Sequence, residues 1–375
     1  MKKIVLIAIA TLLLSVLGPV ANAQANTCKI GTFVTEQGIS LGFPRPALRL
    51  KNKGATKFTV LFVDFADGGG LSPAFAKSLF NNLDPSIKRY FENASYGALK
   101  VKVEPHFTWL NLSGSSNSYI SPNSNTGIDN SSVRRIFAEA VALADPKVNF
   151  SKTDAVLLVI NPYLDNFTYS LPFTPSNPSE GIAADGKNIV NGSLISGMIN
   201  WVPNFESLMI HEILHNYGLV DLYDFGIMGP GDDHFFGKFS PMSHAPTNAG
   251  PMGWEKYTIG WVKQNQVDCI SKGSKKVQLS PISKRGGKKL AIVPISANEV
   301  LVVETRRATA NDEYLPSSGV LVYSVDTSIF AGSGPVKLLN DRKPLAAKKS
   351  VTYKNVTVTH NAKTGQGNTV TVKVN

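Results

Sequence analysis

Cysteine is nearly absent from this sequence, which has only Cys28 and Cys269 among its 375 residues. Neither lies near other cysteines or histidines at the spacing of a thiolate-bound metal, which excludes the zinc-ribbon class of site. In an oxidising compartment the two could form one disulfide, joining the N-terminal region to the last third of the chain. Only the structure can show whether their Cα atoms lie close enough for that bond.

Long apolar runs are also lacking, with one exception at residues 4–17. This run follows two lysines and precedes Ala21-Asn22-Ala23, an order typical of a secretory signal peptide, predicted here as residues 1–23. No later run is long enough to cross a bilayer, so no membrane span is predicted. We expect a mature chain that begins near Gln24 and is secreted, either to the exterior or to a periplasm.

Acidic residues are in the minority: 27 aspartates and glutamates face 38 lysines and arginines, for a formal charge of +11. Much of the excess lies between 272 and 289, a stretch that contains no aromatic residue. A single-stranded nucleic-acid site would need aromatic side chains for base stacking. The pattern therefore favours solvated hairpin loops, and no nucleic-acid partner is predicted.

The first half of the chain alternates predicted strands and helices. Apolar, β-branched runs at 58–65 and 155–160 predict buried strands, and 98–110 is typical of a third. Ser72-Pro73 opens one helix, and apolar residues at helical spacing over 133–144 indicate another. This order predicts an α/β layer with a largely parallel sheet.

Two polar stretches have a weaker pattern. Residues 24–56 are turn-rich and are interpreted as a linker or the remnant of a pro-segment. Residues 162–203 are rich in Asn, Pro, Ser and Gly, and they are predicted to include a short edge strand at 193–199 that could pair with an extended peptide. Pro203-Asn204 is then expected to cap the next helix.

Beyond Cys269 the sequence changes character. Short strand-like runs recur, and residues 370–374 alternate apolar and polar side chains with a period of two. This indicates an all-β sandwich or barrel-like domain at 266–375. It would follow an α/β (α+β) domain at 57–265, because about 350 residues favour two domains over one.

The most informative segment is His211-Glu212-Ile213-Leu214-His215. On a helix, residues four apart lie on one face with Cβ atoms about 5–6 Å apart, so His211 and His215 can bind one metal ion through ring nitrogens. Glu212 lies beside them, in position to act as the general base for an attacking water. The segment therefore predicts the zinc site of a peptidase.

The third protein ligand is predicted a few residues further on. Gly218 allows the helix to end with a positive φ, which would turn Asp221 back toward the same metal. Zinc readily accepts a carboxylate oxygen. Asp224 is a second candidate, either as a ligand or as a partner that orients a histidine, and a glutamate or histidine further along the chain stays open.

The sequence resembles the immune inhibitor A family of secreted bacterial metallopeptidases, which are relatives of the metzincins. The resemblance is specific at the zinc helix and looser in segments that follow one another in family order: 61–67, 90–97, 254–261, 302–306 and 319–323. It implies a metzincin-like peptidase domain in which His211 and His215 bind zinc and Glu212 serves as general base and acid. It also suggests Asp221 as third ligand, where typical metzincins have a histidine.

Metzincins place a methionine-bearing turn beneath the metal. Met228 and Met242 both follow the predicted helix, and Met242 has the better spacing. Hydrolysis also needs a hydrogen-bond donor for the oxyanion, which His244 or Tyr223 could supply. The alternative for each of these residues is a structural role in packing or hydrogen bonding.

Together these features predict a secreted zinc endopeptidase that hydrolyses peptide bonds of extracellular proteins with one catalytic Zn²⁺. A structural Ca²⁺ could bind at 67–70 or 231–233, although both stretches lack the carboxylate density of a calcium loop. The alternative is a catalytically inactive, zinc-stabilised protein that binds a surface or matrix. Glu212 favours the enzyme, because a structural zinc site does not need that carboxylate. Oligomeric state is left open.

Overall fold

The computed structural model describes residues 28–375 apart from 36, 82, 122–127, 168, 197–204, 227–233 and 248. The signal peptide predicted at 1–23 and the helix cap predicted at Pro203-Asn204 lie outside the described residues.

The helices are α1 (Pro73–Phe80), α2 (Leu83–Ala94), α3 (Asn130–Ala144), α4 (Phe205–Asn216) and α5 (Gly253–Ile259). The first seven strands are β1 (Gly54–Asp64), β2 (Leu99–Asn111), β3 (Ala155–Ile160), β4 (Leu171–Phe173), β5 (Ile182–Ala184), β6 (Lys187–Ile189) and β7 (Gly192–Ile195). The others are β8 (Val267–Cys269), β9 (Gly273–Leu279), β10 (Leu290–Pro294), β11 (Glu299–Arg306), β12 (Gly319–Asp326), β13 (Val336–Leu338), β14 (Ser350–Tyr353), β15 (Val356–Thr364) and β16 (Gly367–Val374).

The N-terminal half is built on a five-stranded sheet in the order β2-β1-β3-β7-β4. The first four strands are parallel to their neighbours, which confirms the predicted mixed α/β architecture. Side chains alternate across a strand, so Phe58 and Phe62 of β1 enter one core and Leu61 and Val63 enter the other. Helix α3 covers the second face, while α2 and α4 contribute to the first.

The predicted edge strand at 193–199 is wrong in its position. Gly192–Ile195 pairs on one side with β3 and on the other with β4, so it is an internal strand. Leu171–Phe173, which runs antiparallel to it, occupies the edge of the sheet. Three residues are too short a run for the alternation that identifies a strand in sequence.

The C-terminal region contains two antiparallel-rich sheets, β13-β12-β11-β10-β8 and β14-β15-β16-β9. They share an apolar core made almost entirely of valine and leucine. The basic stretch predicted as hairpin loops is partly strand, because β9 buries Val277 and Leu279 while its lysines face solvent. Lys289 also departs from the prediction of solvated loops, because its side chain is fully buried.

The segment predicted as a linker or pro-segment remnant is packed into the protein. Ile30, Leu41 and Leu50 are buried in the same core as α4. One face of β11, which carries Val300 and Val302, belongs to this core as well. Cys28 is bonded to Cys269, with Cα atoms 5.8 Å apart. This one core contains residues from both sides of the boundary predicted at 265/266. Within the described residues, no helix has both the length and the apolarity to cross a membrane.

Candidate metal centre

Helix α4 is buried along nearly its whole length, from Ser207 to Asn216. Ile210, Ile213 and Leu214 fill the core between the sheet and the β-rich region. A buried helix is normally apolar all round, yet His211 and His215 are only 5% and 2% exposed. Two imidazoles at this depth need polar partners, since burying unsatisfied polar atoms is costly.

The helix is held to the sheet at the turn that carries Glu212. The Ser193 hydroxyl of β7 donates a hydrogen bond to the Glu212 carbonyl oxygen over 2.9 Å. The Asn216 side chain donates to the same carbonyl and to the Ser193 hydroxyl, at 3.0 and 2.8 Å. These contacts link the site to a central strand, so its backbone is fixed by the sheet.

Gly218 ends the helix with a φ of +98°, a conformation that L-residues rarely adopt. Its amide donates to the His215 carbonyl at 2.8 Å. The chain then reverses, and the amide of Leu222 donates to the carbonyl of Met242 at 2.8 Å. This reversal brings Asp221 over the face of α4 that carries the histidines, as the glycine spacing predicts.

Three side chains converge at this point. Oδ1 of Asp221 lies 2.9 Å from Nε2 of His211 and 3.4 Å from Nε2 of His215. Within the described part of the chain, these three form the one group of three or more potential ligand residues whose donor atoms lie within 4.8 Å of one another. Two imidazole nitrogens and one carboxylate oxygen make a donor set that zinc accepts in catalytic sites.

The second nitrogen of each ring is already engaged with the backbone. Nδ1 of His211 lies 2.9 Å from the Pro241 carbonyl oxygen, and Nδ1 of His215 lies 2.8 Å from that of Leu219. A carbonyl can only accept, so each Nδ1 is the donor. In the neutral rings both Nε2 atoms therefore present lone pairs toward the Asp221 carboxylate, which is the tautomer that a metal ligand requires.

The electrostatics favour a positive charge between these groups. Although burial lowers the pKa of His211, its hydrogen bond with Asp221 and the charge of that carboxylate raise this pKa to about 9. Burial raises the pKa of Asp221, but the charge of His215 and the bonds to both histidines bring it well below the ordinary value. A proton or a metal cation satisfies this preference, so the residues present fit a metal ion.

Glu212 is 3% exposed and lies beside the two histidines on α4. Burial raises the pKa of its carboxyl group to about 7, against the opposing charges of His215 and His211. Its Oε2 is buried without a hydrogen-bond partner among the described residues. An unpaired buried carboxylate oxygen is costly, and such groups are concentrated at functional sites.

Two other predicted residues lie close to the cluster. Met242 is fully buried, in a turn defined here as the methionine turn (residues 239–243), which also supplies the Pro241 carbonyl to His211. Tyr223 packs 6.2 Å from the His211 ring, measured between ring centroids. Burial, together with the negative charge of Asp221, raises the pKa of Tyr223 well above its usual value. The tyrosine therefore keeps its proton.

His244 and Asp224 make local contacts. Nδ1 of His244 lies 2.7 Å from the Thr247 hydroxyl, whose proton goes to the His244 carbonyl. Asp224 accepts a hydrogen bond from the Gly226 amide at 2.8 Å and is not part of the three-residue cluster. It caps its own turn.

Asp67, the first residue of the calcium stretch predicted at 67–70, is hydrogen-bonded within the protein. Asp67 uses both carboxylate oxygens on the amide and hydroxyl of Ser116, at 2.7 and 2.8 Å. This is how a turn-stabilising aspartate is expected to bind, and Asp67 belongs to no ligand cluster in the described chain. The second candidate, 231–233, and the alternative methionine, Met228, lie outside the described residues.

Some of the groups that orient the site could not be predicted from the sequence. The carbonyls of Pro241 and Leu219 set the histidine tautomers, but a backbone oxygen has no signature in a sequence. Ser193 is a polar residue in a strand that is otherwise apolar, which is a faint signal of its anchoring role.

No protein-family model matches this sequence, and no curated protein does. Among solved structures, metalloproteinase-II from Bacteroides fragilis is similar at 13% identity and a TM-score of 0.26, over 52% of this chain and 50% of that chain. Catalytically inactive OgpA from Akkermansia muciniphila, solved with an O-glycopeptide substrate, is similar at 9% identity and a TM-score of 0.33, over 82% of this chain and 89% of that chain. At these TM-scores neither likeness establishes a shared fold, and the immune inhibitor A resemblance stays a prediction.

Proposed function

We propose that this chain is a zinc-dependent endopeptidase. The observation that carries the proposal is the convergence of Nε2 of His211, Nε2 of His215 and Oδ1 of Asp221, with Glu212 buried beside them. A purely structural zinc site would be closed by four protein ligands. Among the described residues the cluster has three, and we propose that the fourth coordination position is taken by substrate or water.

In this proposal His211, His215 and Asp221 hold the metal. When bound, zinc acts as a Lewis acid that polarises a carbonyl group and makes a water molecule more acidic. Glu212 accepts a proton from the attacking water and returns it to the leaving amine. Burial raises the pKa of this carboxyl group, which suits a group that takes up a proton and returns it near neutral pH.

Tyr223 is the better of the two predicted donors for the oxyanion. Its raised pKa keeps the hydroxyl protonated. His244 already uses Nδ1–H on Thr247, so its other nitrogen could donate only from the charged ring. We assign Tyr223 to the oxyanion and a structural role to His244.

The substrates are proposed to be extracellular proteins or peptides. The Cys28–Cys269 disulfide is compatible with an oxidising compartment, and the predicted signal peptide points the same way. The alternative function, a catalytically inactive zinc-stabilised binding protein, is disfavoured by Oε2 of Glu212, which is buried without a hydrogen-bond partner among the described residues. A structural site would leave the cost of burying that atom without compensation.

The test is hydrolysis of a denatured protein by chain 24–375 and by Glu212→Gln. We expect the variant to keep stoichiometric zinc and to lose about 10²–10⁴-fold in rate, the usual contribution of a general base. Glu206→Gln is the matched control, because Glu206 lies in the first turn of the same helix, outside the cluster. It should cleave like the parent.

Three outcomes are informative. Cleavage by the parent and by Glu206→Gln alone establishes a peptidase and identifies its base. If no protein cleaves and all bind one zinc, the binding-protein alternative gains support. Equal cleavage by all three would mean that the activity does not depend on Glu212.

A further inference from the structure

A buried arginine of the β-rich region contacts the segment that contains the methionine turn. Arg306, at the end of β11, is fully buried. Its guanidinium uses all five N–H groups, which is the full donor capacity of the side chain. Two go to Asp312 at 3.0 and 2.6 Å and one goes to Glu304 at 3.2 Å.

The other two N–H groups of Arg306 bind carbonyl oxygens outside the β-rich region. One N–H binds the carbonyl oxygen of Phe239 at 2.7 Å, and another binds that of Gly250 at 2.9 Å. The segment between these two carbonyls contains the methionine turn. A rigid, planar fork therefore holds the segment at two points, which a lysine could not do with equivalent geometry.

The first of these contacts lies close to the metal cluster along the chain. Phe239 is two residues before Pro241, whose carbonyl accepts the Nδ1 proton of His211. Met242, the next residue, accepts from the amide of Leu222, the residue after Asp221. A shift of the methionine turn would thus disturb the orientation of one proposed ligand and the approach of another.

Neighbouring groups of the β-rich region hold the end of this segment and the start of α5, which follows it. Asp312 accepts from the amide of Gly250 at 3.1 Å, and Glu304 accepts from that of Gly253 at 2.5 Å. In the methionine turn, the Ser240 hydroxyl donates to Glu255 of α5, which also accepts from the Met252 amide. The segment is fixed from both sides by buried, charge-assisted bonds.

We propose that Arg306 is a positioning residue, through which the β-rich region orients His211 for metal binding by holding the methionine turn. The proposal rests on the proposed zinc site. It gives the C-terminal region a defined part in that site, beyond stabilising the chain. Buried ion pairs are poor evidence for stability by themselves, whereas partners that orient a metal ligand strongly affect its affinity.

The first variant is Arg306→Lys, which keeps the positive charge but cannot hold Phe239 and Gly250 together with both carboxylates. The matched control is Arg307→Lys. Arg307 is the next residue and also binds backbone carbonyls, those of Thr364, Gly365 and Gly367. None of these contacts reaches the methionine turn, so the control removes similar bonds in the same region.

Zinc affinity, measured by chelator competition, is expected to fall 10–100-fold in folded Arg306→Lys, the range typical of outer-shell metal partners. The visible spectrum of the cobalt-substituted protein should change as well. Arg307→Lys should match the parent in both. Unchanged zinc affinity and an unchanged cobalt spectrum in a folded Arg306→Lys protein would overturn the proposal.

A second readout does not depend on zinc. In metal-free protein labelled with ¹⁵N-histidine, the Nδ1–H signal of His211 reports its bond to Pro241. We expect this signal to shift or broaden in Arg306→Lys and to stay unchanged in Arg307→Lys; an unchanged signal in both contradicts the proposal. If the parent itself binds no zinc, the proposed function fails while this signal still tests Arg306. Should Arg306→Lys not fold, Asp312→Asn weakens the same bonds and is read in the same way.

Discussion

At the scale of single residues, the candidate site depends on which nitrogen of each imidazole carries its proton. Backbone carbonyls of Pro241 and Leu219 make that choice, because they accept only from Nδ1. The paired Nε2 atoms then face Asp221. Both acceptors are backbone atoms, so the orientation of each ring depends on where the backbone holds its acceptor, which for His211 is the methionine turn.

Asp221 and Asp224 offer a test of the third ligand within one short stretch. Asp221→Asn should weaken zinc binding by more than a hundredfold, since even outer-shell partners account for 10–100-fold. Asp224→Asn should bind zinc like the parent, because Asp224 caps its own turn through Gly226. Chelator competition measures both. A larger loss in Asp224→Asn than in Asp221→Asn would exchange their roles.

The pH dependence of cleavage follows from Glu212. Burial raises the pKa of its carboxyl group to about 7, so the carboxylate that acts as base is lost as the pH falls through that value. A bound cation lowers the pKa of a nearby carboxyl group. As the pH is lowered, kcat/KM should therefore decrease, and the apparent pKa of this decrease should be about 7 or lower.

This prediction is measured as kcat/KM from pH 8 to pH 4. Zinc content must be determined at each pH, because protonation of the histidines would release the metal and imitate the effect. A rate that stays constant down to pH 4 in fully loaded protein would show that no base titrates between pH 4 and pH 8, contrary to the expectation for Glu212.

At the scale of elements, helix α4 and the turn at Gly218 that ends it determine where Asp221 lies relative to the two histidines. Gly218 has a φ of +98°, and a Cβ there would lie 3.2 Å from Cγ of Arg45. The arginine also binds the Tyr217 carbonyl at 3.2 Å, so the exit turn is packed against the N-terminal segment. The path from His215 to Asp221 therefore has little freedom.

Gly218→Ala should lower the free energy of unfolding by about 1–2 kcal/mol, the cost of a left-handed conformation for an L-residue, and should also weaken zinc binding. Gly54→Ala is the control: its φ is +89° and nothing lies within 4 Å of the new Cβ. It should show a similar loss of stability in urea unfolding with unchanged zinc affinity. Equal zinc affinity in both variants would show that the turn does not position Asp221.

At the scale of the whole molecule, the chain is tied together across its predicted domains. The core that contains Cys28 and α4 also contains Val300 and Val302 of β11. The disulfide joins two residues with a sequence separation of 241. Long closed loops gain most from a cross-link in the chain-entropy account. The N-terminal segment thus contributes to the same folding unit as the metal site.

Replacing both cysteines by alanine should lower the free energy of unfolding by about 2–5 kcal/mol. The cluster itself contains no cysteine, so zinc affinity of the folded variant should be unchanged. Chemical denaturation with and without reductant measures the first effect, and reduced parent should match the variant. A parent insensitive to reductant would contradict this role for the bond.

Much of the fold follows from local pattern. The strand predicted at 155–160 coincides with β3, and β1 lies within a few residues of its predicted bounds, because both are apolar runs buried on two faces. Helix α3 was predicted from the apolar spacing over 133–144, and the structure begins it at Asn130 with Asp129 as its cap. Where local pattern was weak, as at 171–173 and 28–56, pairing and packing with distant residues determined the structure.

The sequence by itself determined that His211, Glu212 and His215 share one helix, since their spacing matches the helical period. It also located Gly218, the residue that allows the chain to reverse. Only the tertiary structure decided that Asp221 meets both histidines, that Pro241 and Leu219 orient the rings, and that Arg306 holds the methionine turn. The reason is physical: spacing acts within one element, whereas these contacts join residues from separate elements through backbone atoms and a buried ion cluster.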